Sequence, residues 1–350
     1  MIRRPFLIGS VLLAASSLVS LPFGGAMAQE RPLIAVSQIV EHPALDAARR
    51  GLIDGLDAAG YRAGDTIRFS YQTAQGNPAV AAQIARQFVG ENPAVLVGIA
   101  TPTAQALAAA TQDIPIVFTA VTDPVAAKLV ASLAKPGGNV TGLSDLSPVA
   151  DHVKLIREIL PQAKTIGVVY NPGEANAVVL VAALKAAAPG QGFTVVEATA
   201  SRTSEVQSAA QGLGPRVDVI YAPTDNTVAS AIDALVNGAG ASKTPVIGGE
   251  TSFVASGAVA ALGFDYYQVG VQTADYVVQI LKGKKPADLP ARVAVGTDLK
   301  VNLEAAEALG ITLPEALLAR VTPAAEEAAA EEPAAEEAAE EAPAEAVPAE

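Results

Sequence analysis

The chain has 350 residues, of which 51% are hydrophobic, with a formal net charge of −13 and no cysteine. The lack of cysteine excludes disulfides and a lipid-modified N-terminal cysteine. An acidic chain with 4% aromatic residues and no basic patch is not expected to bind nucleic acid.

The first 28 residues have the pattern of a secretory signal peptide. Arg3 and Arg4 precede the apolar run PFLIGSVLLAASSLVSLPFGG, which ends in the small-residue sequence Ala26-Met27-Ala28. This pattern predicts cleavage after Ala28, whereas a membrane anchor would lack the small-residue cleavage site. An exported protein without cysteine fits a bacterial periplasm.

Short β-branched runs then alternate with Ala-rich stretches whose apolar residues recur at helical spacing. Most of the runs lack polar alternation, which is typical of parallel strands buried on both faces. The predicted strands are 33–38, 66–72, 94–100, 115–121, 165–171, 193–199, 218–224, 245–249 and 258–264. The alternation predicts a doubly wound α/β fold.

Three irregular stretches interrupt this series, at 135–148, 248–267 and 284–292. Three breaks predict that the chain crosses three times between two lobes, an arrangement that favours opening and closing. The predicted N-terminal lobe is 29–143 plus 263–287, and the predicted C-terminal lobe is 144–262 plus 288–320. Residues 321–350 carry ten Glu and no basic residue, which predicts a disordered acidic tail.

Polar residues cluster where the predicted strands end, which is where ligands bind in open α/β sheets. Ser, Thr, Asp and Asn before a helix are helix caps by default, but clustering at one edge of both halves favours a binding site for the set. The candidates are Glu41, Thr101, Thr103, Thr119 and Asp123 in the first half, and Asp225, Asn226 and Glu250 in the second.

The stretch GIATPTAQ predicts a helix whose first N–H groups lie beside the hydroxyls of Thr101 and Thr103. No Lys or Arg is near in the sequence, which suits one carboxylate better than a phosphate. On the other side of the predicted cleft, Glu250 and Asp225 are placed to bind an ammonium group. An α-amino acid carries both groups.

Catalysis is poorly supported by the sequence. No G-x-S-x-G, HExxH, P-loop or G-x-G-x-x-G motif is present. His42 stands between Glu41 and Asp46 without a nucleophile, so we interpret this cluster as the wall of a cleft. His152, the second histidine, is predicted to be solvated on a helix surface. No metal and no cofactor are expected.

Several stretches taken together resemble the periplasmic substrate-binding proteins of ABC transporters, in the tryptophan/tyrosine-type group. The resemblance spans about Arg31 to Arg320. It is carried by SQIVEHPALDAARRG, ATPTAQAL, VFTAVTDPVAAKLV, NVTGLSDL, VVYNPGEANA, APTDNTVASA, GGE, GFDYYQVGVQTADYVVQILKGKKPADLP and VNLEAAEALGITLP.

The resemblance implies a type I periplasmic-binding fold, monomeric, that closes over one small molecule and delivers it to an inner-membrane permease. Members of the group bind aromatic amino acids. Carried over, the family pattern assigns Thr101, Thr103 and Thr119 to the carboxylate and Glu250 with Asp225 to the amine, with Asn226 and Glu41 as further contacts. Where that pattern has an aromatic residue before Gly263, this chain has Leu262, which weakens the case for an aromatic ligand.

Three alternatives stay open at this point. The first is a ligand-sensing module that reports to a membrane receptor or kinase. The second is a binding protein for an aliphatic amino acid or another small carboxylate. The third is a hydrolase that uses His42 and Glu41.

Overall fold

A computed structural model describes residues 31–321, so the predicted signal peptide (1–28) and all but the first residue of the predicted tail lie outside the described residues. The strands are β1 Leu33–Gln38, β2 Arg68–Thr73, β3 Val95–Ile99, β4 Ile116–Val121, β5 Val140–Ser144, β6 Thr165–Tyr170, β7 Thr194–Thr199, β8 Val219–Ala222, β9 Val246–Gly248, β10 Ala260–Gly263, β11 Arg292–Val293 and β12 Asp298–Val301. The helices are α1 Pro43–Ala58, α2 Pro78–Gly90, α3 Thr101–Ala110, α4 Val149–Ile159, α5 Ala175–Ala187, α6 Thr203–Leu213, α7 Asn226–Ala229, α8 Ile232–Gly240, α9 Tyr266–Leu281, α10 Leu303–Ala308 and α11 Glu315–Leu318.

The strands form two sheets of six, which confirms the predicted two-lobed α/β fold. The first sheet has the order β11-β5-β4-β3-β1-β2 and is parallel throughout. The second has the order β12-β10-β9-β8-β6-β7, and only its edge strand β12 runs antiparallel to its neighbour. Strands β1, β3, β4 and β8 are buried along their whole length, because helices flank these central strands and leave no solvent-facing side.

The chain passes between the two sheets three times, after Ser144, after Gly263 and after Val293. The predicted lobe boundary at 287/288 assigned β11 (Arg292–Val293) to the second lobe, but this strand pairs with β5 of the first sheet. A two-residue strand inside a Pro- and Lys-rich stretch has no recognisable periodicity, so the last crossing was predicted too early.

His152, which lies in helix α4, was wrongly predicted to be solvated. It is fully buried, and its Nδ1 lies 2.8 Å from the Tyr221 hydroxyl. Burial lowers the pKa of His152 to about 4, so the ring is neutral at pH 7. The spacing Val149, His152, Val153, Ile156 places it on the apolar face of the helix, and this periodicity outweighs its charged sequence neighbours.

Helices α1 and α9 pack closely in the first lobe, although more than 200 residues separate them in the chain. The close approach depends on glycine, because a Cβ atom added at Gly51 would lie 2.0 Å from the Tyr267 carbonyl oxygen. A Cβ atom at Gly270 would lie 2.0 Å from the Ala48 carbonyl oxygen. No helix within residues 31–321 is both long and apolar enough to cross a membrane.

Candidate ligand-binding site

A small cavity, which we call the inner cavity, lies between the lobes at the carboxyl ends of the strands. Its volume is about 10 Å³, the space of roughly one water molecule. It is lined by His42, Leu45, Ala120, Thr122, Asp145, Asn176, Thr224, Asp225, Asn226, Ala229, Glu250 and Tyr266. A ligand larger than water therefore requires the lobes to separate.

A wider pocket, which we call the outer pocket, has a volume of about 560 Å³ and also lies between the lobes. Its side chains are mostly small or apolar: Ile39, Gly76, Pro78, Ala82, Pro102, Gln105, Ala106, Asn171, Gly173, Glu174, Ala175 and Ser201. Glu174 connects the two spaces, because it also accepts hydrogen bonds from Asn176 and Asn226 of the inner cavity. The volume of the outer pocket is in the range of small-molecule sites.

The inner cavity is acidic. Asp145, Asp225 and Glu250 line it, each no more than 3% exposed, and none of the lining residues is Lys or Arg. An ionised carboxylate in such a place is costly unless a cation or several hydrogen bonds stabilise it. The site therefore favours a ligand that brings a positive charge.

Glu250 follows β9 and reaches the inner cavity from the second lobe. The Ser252 hydroxyl donates a hydrogen bond to its carboxylate. Burial and the nearby Asp145 carboxylate raise the pKa of Glu250 to about 7, although the Ser252 bond opposes the shift. Among the described residues, no basic side chain other than His42 lies in ion-pair range of Glu250.

His42 faces Glu250 from the first lobe, as the residue directly before α1. Its Nδ1 lies 3.9 Å from Glu250 Oε1, which is too long for a hydrogen bond, and has no other partner among the described residues. Burial lowers the pKa of His42 to about 4, against the opposing effects of Asp46 and Asn226, so the ring is neutral at pH 7. The interpretation of His42 as a cleft wall is consistent with this position.

Asp225 and Asn226 line the inner cavity, but their hydrogen bonds go largely to the protein. Asp225 accepts from the backbone N–H groups of Val228 (2.9 Å) and Asn171 (2.6 Å) and so caps α7. Burial and the neighbouring Glu174 raise the pKa of Asp225 to about 8. Asn226 donates its side-chain amide to Glu174 at 2.5 Å.

The three predicted threonines are buried but line neither space. The Thr103 hydroxyl donates to the Ile99 carbonyl at 2.6 Å, and the Thr119 hydroxyl accepts from Thr273 at 2.8 Å. Both hydroxyls therefore form hydrogen bonds within the first lobe. The Thr101 hydroxyl, at the start of α3, has no hydrogen-bond partner within residues 31–321.

Two further candidates lie outside the inner cavity. Asp123 accepts from the backbone N–H groups of Val125 and Ala126 and stabilises a turn. Glu41 is exposed and accepts a hydrogen bond from the Tyr71 hydroxyl at 3.4 Å. Leu262 lies in a surface groove of the second lobe, so the departure from the family pattern at this position does not alter either interlobe space.

Sequence reasoning missed several residues of the inner cavity: Thr122, Asp145, Asn176, Thr224 and Tyr266. Two of them carry polar atoms without hydrogen-bond partners among the described residues, Asn176 Oδ1 and Thr224 Oγ1. Together with His42 Nδ1, three such buried atoms belong to residues that line one cavity. Buried polar groups are normally satisfied, so this concentration makes the inner cavity the candidate site for a polar ligand.

The raised pKa of Glu250 predicts a pH dependence of stability. The folded state holds a proton at Glu250 that the unfolded state releases near pH 4.5, so the free energy of unfolding falls as the pH rises through 7. The pKa values of both histidines are lowered, so their titration makes the free energy of unfolding rise with pH. This opposite effect occurs only below about pH 6.5. We expect wild type to lose about 1 kcal/mol more than Glu250→Gln between pH 6.5 and 8, measured by urea denaturation without ligand. Equal losses in the two proteins would contradict the prediction.

No group of three or more acidic or histidine side chains within residues 31–321 could hold a metal ion. The two interlobe spaces together form a cleft in which three acids are surrounded by neutral polar groups and adjoin a pocket of mostly small or apolar side chains. No nucleophile lies in ion-pair or hydrogen-bond contact with His42 among the described residues.

Comparison with known proteins gives a consistent result. A family model described as ABC transporter substrate binding protein matches residues 33–325. A tyrosine-binding protein of Clostridioides difficile is 41% identical over 276 residues, which cover 79% of this chain and 80% of that protein. A conserved domain protein from Vibrio cholerae has a structure with 66% identity and a TM-score of 0.83, covering 84% of this chain and 99% of that one.

Two further solved structures differ in their ligand state. A domain from Streptococcus pneumoniae in complex with L-Trp is 39% identical, with a TM-score of 0.81, and covers 83% of this chain and 99% of that one. The ligand-free, open structure of a substrate-binding protein with adhesive properties from Clostridium difficile is 40% identical, with a TM-score of 0.64, and covers 83% and 98%. The family model and these relatives establish that the chain belongs to the substrate-binding proteins of ABC transporters, which are binding proteins and not enzymes.

Proposed function

We propose that this protein binds an aromatic L-amino acid between its lobes and delivers it to the permease of an ABC importer. The observation that carries the proposal is the inner cavity, where three buried acids and three unpartnered polar atoms meet without any Lys or Arg. Relatives of about 40% identity bind tyrosine or tryptophan, which supports the same class of ligand here.

Each part of the amino acid has a complementary region in the cleft. The α-ammonium would bind Glu250, whose buried carboxylate has no basic partner other than the neutral His42. The carboxylate would bind at the start of α3, where the Thr101 hydroxyl has no hydrogen-bond partner among the described residues and the next residue, Pro102, lines the outer pocket. The side chain would extend toward the outer pocket, where Ile39, Pro102 and Ala106 provide apolar surface.

Binding would require the lobes to open and close. The inner cavity holds roughly one water molecule in the arrangement described here. The fold matches the Trp-bound relative better than the open one, at TM-scores of 0.81 and 0.64 and almost equal identity. We take the described arrangement as closed, so a ligand would enter an open form and shift the population toward a closed one.

The proposed location is the periplasm, reached through the predicted signal peptide, and the proposed partner is an inner-membrane permease that recognises the closed monomer. Family membership supports this location, because substrate-binding proteins of ABC transporters act outside the cytoplasm.

A ligand screen of the mature protein tests the proposal, after unfolding and refolding to remove any copurified ligand. L-tyrosine, L-tryptophan and L-phenylalanine are compared with L-leucine and with tyramine, which lacks the carboxylate. At 100 times its Kd a ligand adds about 2.7 kcal/mol, so we expect at least one aromatic amino acid to raise Tm by about 5 °C. A response to leucine alone, or equal responses to tyrosine and tyramine, would contradict an aromatic amino acid as the ligand.

A further inference from the structure

Asp145 is the acid of the inner cavity that sequence reasoning did not identify. It is the first residue after β5, at the point where the chain first leaves the first lobe, and it is 3% exposed. Its Oδ2 accepts a hydrogen bond from the Tyr266 hydroxyl at 2.6 Å, and its Oδ1 accepts from the Thr122 hydroxyl at 3.3 Å. Both donors also line the cavity.

The hydrogen bond between Asp145 and Tyr266 connects two of the three crossings. Tyr266 is the first residue of α9, directly after the second crossing, whereas Asp145 belongs to the first. This hydrogen bond therefore joins the first and second crossing segments at the wall of the inner cavity. Any group that binds Asp145 contacts the part of the chain about which the lobes move.

The carboxylate of Asp145 has remaining capacity to bind a ligand. An ionised carboxylate has about four acceptor sites, and the two hydroxyls occupy two of them. Neither donor carries a charge, and none of the lining residues is Lys or Arg. The Asp145 carboxylate also raises the pKa of Glu250 by like-charge repulsion, which a cation bound to both acids would relieve.

The other acid of the cavity is less available. Both oxygens of Asp225 accept short hydrogen bonds from backbone N–H groups, and this carboxylate caps α7. An ammonium has three donors, so it can bind two carboxylates and one further acceptor. Glu250 and Asp145 instead accept hydrogen bonds from side-chain hydroxyls, those of Ser252 and Tyr266.

We propose that Asp145 is the second acid that binds the ligand's ammonium group, together with Glu250, and that its bond to Tyr266 transmits this contact to the hinge. The inference rests on the proposed function. It replaces Asp225 by Asp145 in the predicted amine site and gives the first crossing a direct role in ligand recognition.

Two variants separate this role from a structural one. Asp145→Asn keeps an oxygen that accepts from Tyr266 but removes the charge, whereas Tyr266→Phe removes the hydrogen bond and keeps the acid. We expect Asp145→Asn to weaken binding of L-tyrosine or L-tryptophan by 10-fold or more, and Tyr266→Phe to weaken it by less than about 5-fold. If Asp145 only anchors Tyr266, Asp145→Asn is the milder variant, and this order would overturn the proposal.

Isothermal titration calorimetry provides both readouts. Titrations near pH 6.5 in two buffers of different ionisation enthalpy give the number of protons released on binding. Wild type is expected to release protons as the ammonium displaces the proton held at Glu250, and Asp145→Asn, which removes the like charge that raises the pKa of Glu250, is expected to release fewer. Unchanged affinity and proton release in Asp145→Asn would overturn the role of Asp145 alone, whereas wild type that binds neither amino acid would overturn the proposed function as well.

Discussion

Glu250→Gln is expected to weaken binding of the aromatic amino acid by about 2 to 4 kcal/mol, or roughly 30- to 1,000-fold in Kd. The reason is charge, since glutamine is nearly the same size and still accepts a hydrogen bond from Ser252. The ammonium of the bound ligand would lose its main charged partner in a cavity that excludes water. Calorimetry of the refolded protein measures the effect.

A matched variant tests whether the loss is specific. Glu307→Gln makes the same chemical change on the exposed surface of α10, and Glu307 lines neither the inner cavity nor the outer pocket. It should bind with the affinity of wild type within about twofold. Equal affinity of Glu250→Gln and wild type would remove Glu250 from the ligand site.

The sequence was sufficient to predict the alternation of buried strands and helices, because a parallel sheet covered on both faces requires continuous apolar runs. Strand β5 (VTGLS) escaped recognition because it is short and rich in small residues. Gly142 has to be glycine, since a Cβ atom there would lie 2.0 Å from the Phe118 carbonyl oxygen. Gly142 thus weakens the strand pattern in the sequence, but it allows β4 and β5 to approach each other.

The residues that line the candidate site were predicted in part, and the differences have physical causes. The rule that ligands bind at the carboxyl ends of strands selected Glu250 and Asp225, and both residues line the inner cavity. It could not show that the hydroxyls of Thr103 and Thr119 are already used within the first lobe. It also missed Asp145, because strand β5 was not recognised and its end was taken as part of the irregular stretch 135–148.

Gly270→Ala is expected to lower the free energy of unfolding by about 3 kcal/mol or more, which is the largest stability effect that we predict. The added Cβ atom would lie 2.0 Å from the Ala48 carbonyl oxygen and 2.7 Å from the Leu52 backbone nitrogen. Backbone atoms cannot rotate away as a side chain can, so α1 and α9 must move apart. The gain in helix propensity, about 1 kcal/mol at most, is too small to offset this clash.

Urea denaturation followed by circular dichroism measures this loss, with Gly212→Ala in α6 as the matched control. No atom lies within 4 Å of a Cβ atom at Gly212, so the control should unfold like wild type or be up to about 1 kcal/mol more stable. Because α9 begins with Tyr266 in the inner cavity, a shift of α9 should also weaken ligand binding in Gly270→Ala. Wild-type stability of Gly270→Ala would mean that the two helices are not held at the distance described here. The hinge contact between Tyr266 and Asp145 would then lack the rigid helix on which it depends.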